Sequence, residues 1–201
     1  PVAPISPLRV IPNPQSKPAG SGKIRIGLIG AGDFARAMHL PNMQALSDRY
    51  HLQAVSSRTG HNAASTASQF GAAYSTTENE QILKDSQVDA VLIATRHNLH
   101  ASLTLAALKS GKHVIVEKPL ALIREELAEI ERFYAEFPKE KTPPVLLTGF
   151  NRRFSDYARR IADCVANRSN PMILNYRMNA GYIPLNHWVH GTEGGSRNRG
   201  E

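Results

Sequence analysis

The sequence predicts an α/β protein: a doubly wound parallel sheet followed by the start of an incomplete second, α+β domain. Three observations predict it. Apolar runs such as Val91-Leu92-Ile93 and the β-branched Val114-Ile115-Val116 alternate with stretches of helical spacing. Most of those runs are apolar throughout rather than at every second residue, as strands covered on both faces must be. The pattern stops near residue 150, and beyond about 181 the chain is rich in Gly, Asn and His and has no period.

The elements follow in order. Residues 1–22 hold prolines at 1, 4, 7, 12, 14 and 18 and end in Ala-Gly-Ser-Gly, which reads as an extended linker or arm. Residues 23–30 form a short apolar strand. Residues 33–48 have helical spacing through Phe34, Met38, Met43 and Leu46, with Asp33 as N-cap candidate and Pro41 as an interruption. A strand is expected over 51–57, a small-residue helix over 59–71 stopped by Gly71, and a short helix over 78–85. The most apolar strand spans 88–95. A helix over 98–112 has Leu99, Leu103, Ala106 and Ala107 on one side. A strand over 113–118, an amphipathic helix over 124–137 and a strand over 143–150 complete a first domain at 23–149. Beyond it come a helix over about 155–167, a strand over 171–180 and an aperiodic tail, the beginning of a second domain at 150–201.

The chain has 201 residues, enough for one domain and part of another. Its 41% hydrophobic and 20% charged residues are those of a globular protein. No apolar run approaches the roughly 18–20 residues of a membrane helix, and no charged start precedes an apolar leader, so no membrane partner is expected. Cys164 is the only cysteine. It excludes an internal disulfide, makes a reducing cytoplasm the expected location, and sits where an inert, half-buried thiol is expected. Net charge is +7, and residues 150–201 carry eight arginines against four acids. That excess suits an anionic small substrate or a solvated face; nucleic acid is not expected, because aromatic interleaving and a binding motif are absent. The pairs His97/His100 and His187/His190 have no cysteine or carboxylate cluster to complete a metal site, so none is expected.

Gly30-Ala31-Gly32-Asp33-Phe34-Ala35 is a G-x-G-x-x-A that follows a strand and opens a helix. In that context Gly30 permits a tight turn, Gly32 lets a pyrophosphate approach the backbone, and Ala35 allows close packing of helix on sheet. The helix N-terminus offers N–H groups to the phosphates, with Asp33 and Phe34 beside them. An NAD site usually has an acid at the end of the second strand; here stand Ser56-Ser57-Arg58-Thr59. Hydroxyls, with Ser57 foremost, and the Arg58 guanidinium suit a ribose 2′-phosphate better, which favours NADP slightly over NAD.

The stretch "HVIVEKPLAL" ends an apolar strand in Glu-Lys-Pro. Together with "GLIGAGDFARAMHLP", "IATRHNLHASLTLAALKSGKHVIVEKPLAL", "TGFNRRFS" and "GTEGGSRNRGE", it resembles the glucose-fructose oxidoreductase / inositol dehydrogenase / rhizopine-catabolism (Gfo/Idh/MocA) family from about residue 23 onward. The resemblance implies a Rossmann domain and hydride transfer between NAD(P) and a carbinol or ketone of a sugar, polyol or sugar derivative. It implies that Ala94, Thr95, Asn98 and His100 line the cofactor, that Glu117 and Lys118 stand beside the nicotinamide, and that Lys118 is catalytic. Pro119 would follow a cis peptide. Arg153 would approach the nicotinamide, while Arg152, Arg177, Tyr182, His187 and Trp188 are candidates for substrate contact. A homo-oligomer is implied for the complete protein, and the proline-rich start suits a fusion behind another domain. One departure stands out: Gly200 or Glu201 falls where relatives often carry an Asp, followed four residues later by a catalytic His. A non-catalytic dinucleotide-binding regulator of the same fold is the alternative.

Overall fold

The computed structural model describes residues 10–177, 179 and 181–195. A seven-stranded sheet runs in the order β1-β4-β3-β2-β5-β6-β7. Its strands are β1 (Val10–Pro12), β2 (Ile24–Ile29), β3 (Tyr50–Ser56), β4 (Tyr74–Thr76), β5 (Ala90–Ile93), β6 (His113–Val116) and β7 (Leu146–Thr148). All neighbours are parallel except β1, which pairs antiparallel with β4. The chain begins its parallel part at β2 in the centre, winds outward to β4, then returns to β5 and winds the other way. The order therefore reverses between β2 and β5, and the crevice at their carboxyl ends is where ligands of such sheets bind.

Two apolar layers cover the sheet. One gathers Ile29, Val91, Ile93, Val114 and Val116 with Ile82, Leu108 and Ile130 from the helices; the other gathers Ile26, Leu28, Val55 and Leu92 with Leu40 and Ala67. Neighbouring residues of a single strand, such as Leu92 and Ile93, thus bury on opposite faces, which is why these strands are apolar at every position. The crossovers are α1 (Leu40–Ala45), α2 (Gly60–Phe70), α3 (Asn79–Lys84), α4 (His100–Lys109) and α5 (Arg124–Ala135). After β7 comes α6 (Asp156–Val165), capped by Ser155, whose hydroxyl accepts from the Ala158 N–H.

The sequence expectations are corrected at four places. Residues 10–12, within the stretch expected as an extended linker or arm, form an edge strand; Pro12 is tolerated there because an edge strand needs only one ladder. The strand β4 was not expected, since Tyr-Ser-Thr shows no apolar alternation. The strand expected over 171–180 is absent among the described residues: 171–177 are irregular and exposed, with no neighbouring strand to complete a ladder. Cys164 is exposed rather than half-buried, because α6 buries none of its residues.

Candidate functional site

β2 delivers the chain to Gly30, whose φ is 99°. A Cβ there would lie 2.7 Å from the backbone of Ala94 and Thr95, so only glycine lets the end of β2 lie against the end of β5. Gly32 is different: a Cβ there would meet nothing within 4 Å, and the surface above it is open. The helical turn starts at this point, with the Arg36 N–H donating to the Gly32 carbonyl at 3.0 Å. The preceding N–H groups are those a helix leaves without intrahelical partners. Ala35 is fully buried against the sheet, whereas Asp33 and Phe34 are exposed.

The turn is held from the side by Asn62 of α2. Its Nδ2 donates to the Ala31 carbonyl (2.8 Å) and to the Ser57 hydroxyl (2.9 Å). Gly30 N–H donates to the Ser56 carbonyl at 2.9 Å, and the buried Ser56 hydroxyl donates to Asn79 at 2.6 Å. Ser57 is half-buried and Arg58 exposed at the end of β3. Asn62 was missed in the sequence, where nothing distinguishes it from the other polar residues of its helix.

Across the crevice, Ala94 N–H donates to the Ile29 carbonyl at 2.9 Å, joining the ends of β5 and β2. Thr95 is half-buried and Asn98 exposed. His100 is only 1% exposed. Its Nδ1 lies 2.7 Å from the Pro119 carbonyl and its Nε2 3.1 Å from the Thr95 carbonyl, so it holds together the loops that follow β5 and β6. At the tip of β6, the Glu117 side chain is 13% exposed and faces His39, whose Nε2–H donates to Oε1 at 2.8 Å. Burial would raise the Glu117 carboxyl, but the His39 hydrogen bond and charge, the Lys118 N–H and His100 outweigh it and leave it below its ordinary value. Lys118 is half-buried beside it, and the Lys118–Pro119 bond is cis.

His39 was also missed. It ends a π turn over Ala35–His39, closed by the Leu40 N–H donating to the Ala35 carbonyl five residues back. Pro41 lacks an N–H, and its ring would crowd the Ala37 carbonyl of a regular helix; the wider turn relieves both. Pro41 marked an interruption in the sequence, but nothing there pointed to His39.

Residues after β7 contribute unevenly. Arg152 and Arg153 lie on an exposed turn over Asn151–Phe154, where Arg153 donates to the Thr148 carbonyl at 3.3 Å and stacks on Phe154. Trp188 reaches the loop after β5: Arg96 lies over its ring at 5.0 Å, and His97 meets it edge-on at 4.9 Å. Arg96 also pairs with Glu193, and His97 Nδ1 lies 3.1 Å from the Gly194 carbonyl. Burial, aided by His100 and Lys118, holds the His97 imidazole below its ordinary value against that carbonyl. His187 lies next to Trp188, whereas Arg177 and the 84% exposed Tyr182 are not drawn in. Gly200 and Glu201 lie outside the described residues. No group of three or more His, Cys, Asp or Glu suited to a metal occurs among the described residues, and no helix there is long and apolar enough to cross a membrane.

The carboxyl ends of the neighbouring strands β2, β5 and β6 thus carry Gly30, Gly32, Ala94, Thr95, Glu117 and Lys118, with Asn62, His39 and His100 bracing them. Residues 24–145 match the family described as "Oxidoreductase family, NAD-binding Rossmann fold" (GFO_IDH_MocA). The chain is 33% identical over 144 residues to myo-inositol 2-dehydrogenase of Thermotoga maritima, covering 72% of this chain and 41% of that protein. It is 37% identical over 106 residues to 1,5-anhydro-D-fructose reductase of Ensifer adhaerens, covering 53% of this chain and 31% of that protein. The crystal structure of a 3-ketoreductase from Actinomadura kijaniata, in complex with NADP and TDP-benzene, matches with a TM-score of 0.63 and 28% identity over 72% of this chain and 42% of that one. The chain spans about two fifths or less of the length of these relatives.

Proposed function

The chain belongs to the Gfo/Idh/MocA oxidoreductase family, and from that premise we propose that it supplies the dinucleotide site and catalytic lysine of an NAD(P)-dependent oxidoreductase. The substrate is a carbinol or ketone of a sugar, polyol or sugar derivative. The observation that carries this reading is the convergence of an open glycine turn and a half-buried lysine on one sheet edge.

The residues fit a dinucleotide. The open surface above Gly32 and the first-turn N–H groups, which a helix leaves without intrahelical partners, suit a pyrophosphate. Ser57 and the exposed Arg58 lie at the ribose end, with no acid in Ser56–Thr59 to repel a 2′-phosphate, so NADP is the favoured form. Glu117 and Lys118 lie at the nicotinamide end. Bound nicotinamide supplies hydride transfer to or from carbon. What remains for the protein is the proton of the same carbinol. The Lys118 amine accepts that proton when the hydroxyl becomes a carbonyl, and its ammonium returns one in the reverse direction. His100 and Glu117 hold the strand tips that place Lys118. Arg152, Arg153, His187 and Trp188 bound the side from which a substrate enters. The arginine excess beyond residue 150 suits an anionic sugar derivative, for which KM rises with salt as screening weakens attraction.

The test is Lys118→Ala in the full-length protein. General acid–base help is worth about 10²–10⁴-fold, so kcat should fall by roughly that factor while dinucleotide affinity stays nearly unchanged. Near-normal turnover would remove Lys118 from the reaction and favour a dinucleotide-binding regulator.

A further inference from the structure

The Glu117 carboxylate is closed in from three sides. His39 donates to Oε1 at 2.8 Å, and the Lys118 backbone N–H donates to Oε2 at 3.3 Å. Gly149 lies so near that a Cβ there would sit 2.8 Å from Oε2. The π turn after β2, the tip of β6 and the end of β7 therefore meet on one acid. His39 in turn packs edge-on against Phe34, with ring centroids 5.3 Å apart. Phe34 lies exposed two residues after the open Gly32. A continuous line of contacts thus runs from the glycine turn through Phe34, His39 and Glu117 to the Lys118 backbone. The π turn matters to it, because each residue inserted in a helix rotates those that follow by about 100°. With a regular helix over this stretch, His39 would point elsewhere.

We propose that His39 is a positioning residue for the nicotinamide end of the site, acting through the Glu117 carboxylate to hold the Lys118 backbone in place. The inference rests on the dinucleotide reading above and deepens it. Without His39 this enclosed carboxylate loses its shorter hydrogen bond, and its hold on the Lys118 N–H loosens. The line from Phe34 makes the glycine turn and the lysine a single unit, so a dinucleotide that spans both meets a prearranged far end. A ligand that occupies only the near end has no use for His39.

Calorimetry with NADP⁺ and with 2′-phospho-ADP-ribose, the same molecule without nicotinamide, separates the two ends. His39→Ala should weaken NADP⁺ by about tenfold or more, in keeping with a lost hydrogen bond to a charged group, and 2′-phospho-ADP-ribose by less than about twofold. His39→Gln, which keeps a donor at similar reach, should restore NADP⁺ to within about threefold. Amide hydrogen exchange on the ligand-free chain gives a second measure: the Lys118 N–H should exchange about tenfold faster in His39→Ala and not in His39→Gln. Equal losses for both ligands, no loss for either, or a loss that Gln fails to restore would overturn the proposal. If the wild-type chain binds neither ligand, the dinucleotide reading falls, and the Lys118 amide alone decides. Faster exchange that Gln restores would then keep His39 as the residue that holds Glu117, and unchanged exchange would reject it.

Discussion

Gly30 and Gly32 look alike in the sequence and differ in what surrounds them. At Gly30 both the positive φ and the 2.7 Å approach of the Ala94 and Thr95 backbone exclude a side chain. Gly30→Ala should therefore destabilise the fold by about 2–4 kcal/mol, measured by chemical denaturation. Gly32→Ala meets nothing, and should stay within about 0.5 kcal/mol of wild type in the same experiment. Arg58 makes a matching prediction for the cofactor's other end. Arg58→Ala should weaken NADP(H) by about tenfold and leave NAD(H) nearly unchanged in calorimetry, since only the former carries the phosphate that a guanidinium would pair with. If NAD(H) binds much more tightly than NADP(H) and the substitution alters neither, the preference is wrong. The glycines could be found in the sequence because their type and spacing announce a turn. His39 and Asn62 could not, because their importance depends on partners 78 and 31 residues away.

At the scale of elements, the central strands were legible and the edges were not. β2, β5 and β6 are buried on both faces, so their apolar runs are long and unmistakable. β1 and β4 are three-residue strands whose places are set by main-chain pairing, which leaves little mark on side-chain pattern. The arm before β2 is nevertheless tied down. Asn13 Nδ2 donates to the Ala72 carbonyl at 2.8 Å and to the Ala67 carbonyl at 3.2 Å, at the end of α2. Asn13→Ala should cost about 1–2 kcal/mol by thermal or denaturant unfolding, because those carbonyls lose a partly buried donor. An unchanged midpoint would show that main-chain bonds alone hold the arm, those of the β1–β4 ladder and of the Asn13 N–H to the Ala73 carbonyl (2.8 Å). The strand expected over 171–180 and not formed by its described residues has the complementary cause. Ile173, Leu174 and Tyr176 have the residue types of a strand, but a strand exists only where a neighbour completes its hydrogen bonds.

At the scale of the molecule, the two edges of the sheet differ. The carboxyl edge holds the candidate site. The opposite edge is fastened by Arg25, whose guanidinium donates to Asp89 from Nε (3.0 Å) and Nη2 (2.6 Å), while its backbone N–H also donates to Asp89 (2.8 Å). These bonds, led by the Arg25 side chain, hold the Asp89 carboxyl below its ordinary value. A depressed carboxyl contributes stability above its unfolded pKa, near 4, and loses it as pH falls through the lower folded value. Unfolding midpoints should therefore drop between about pH 5 and about pH 3, and less steeply in Asp89→Asn. Glu117 is shifted the same way, so part of the slope should remain in that variant. Parallel slopes for the two proteins would mean that the Arg25–Asp89 pair adds nothing at this exposure.

Whether a dinucleotide lies across the open backbone at Gly32 is decided by one calorimetric titration. NADP⁺ is added to the 201-residue chain and to Gly32→Val, which places a branched side chain on that open surface. Saturable binding by the wild-type chain, lost by about a hundredfold in a variant that remains folded, is the expected result. A wild-type chain that does not bind, or a folded variant that binds as well as wild type, would contradict it.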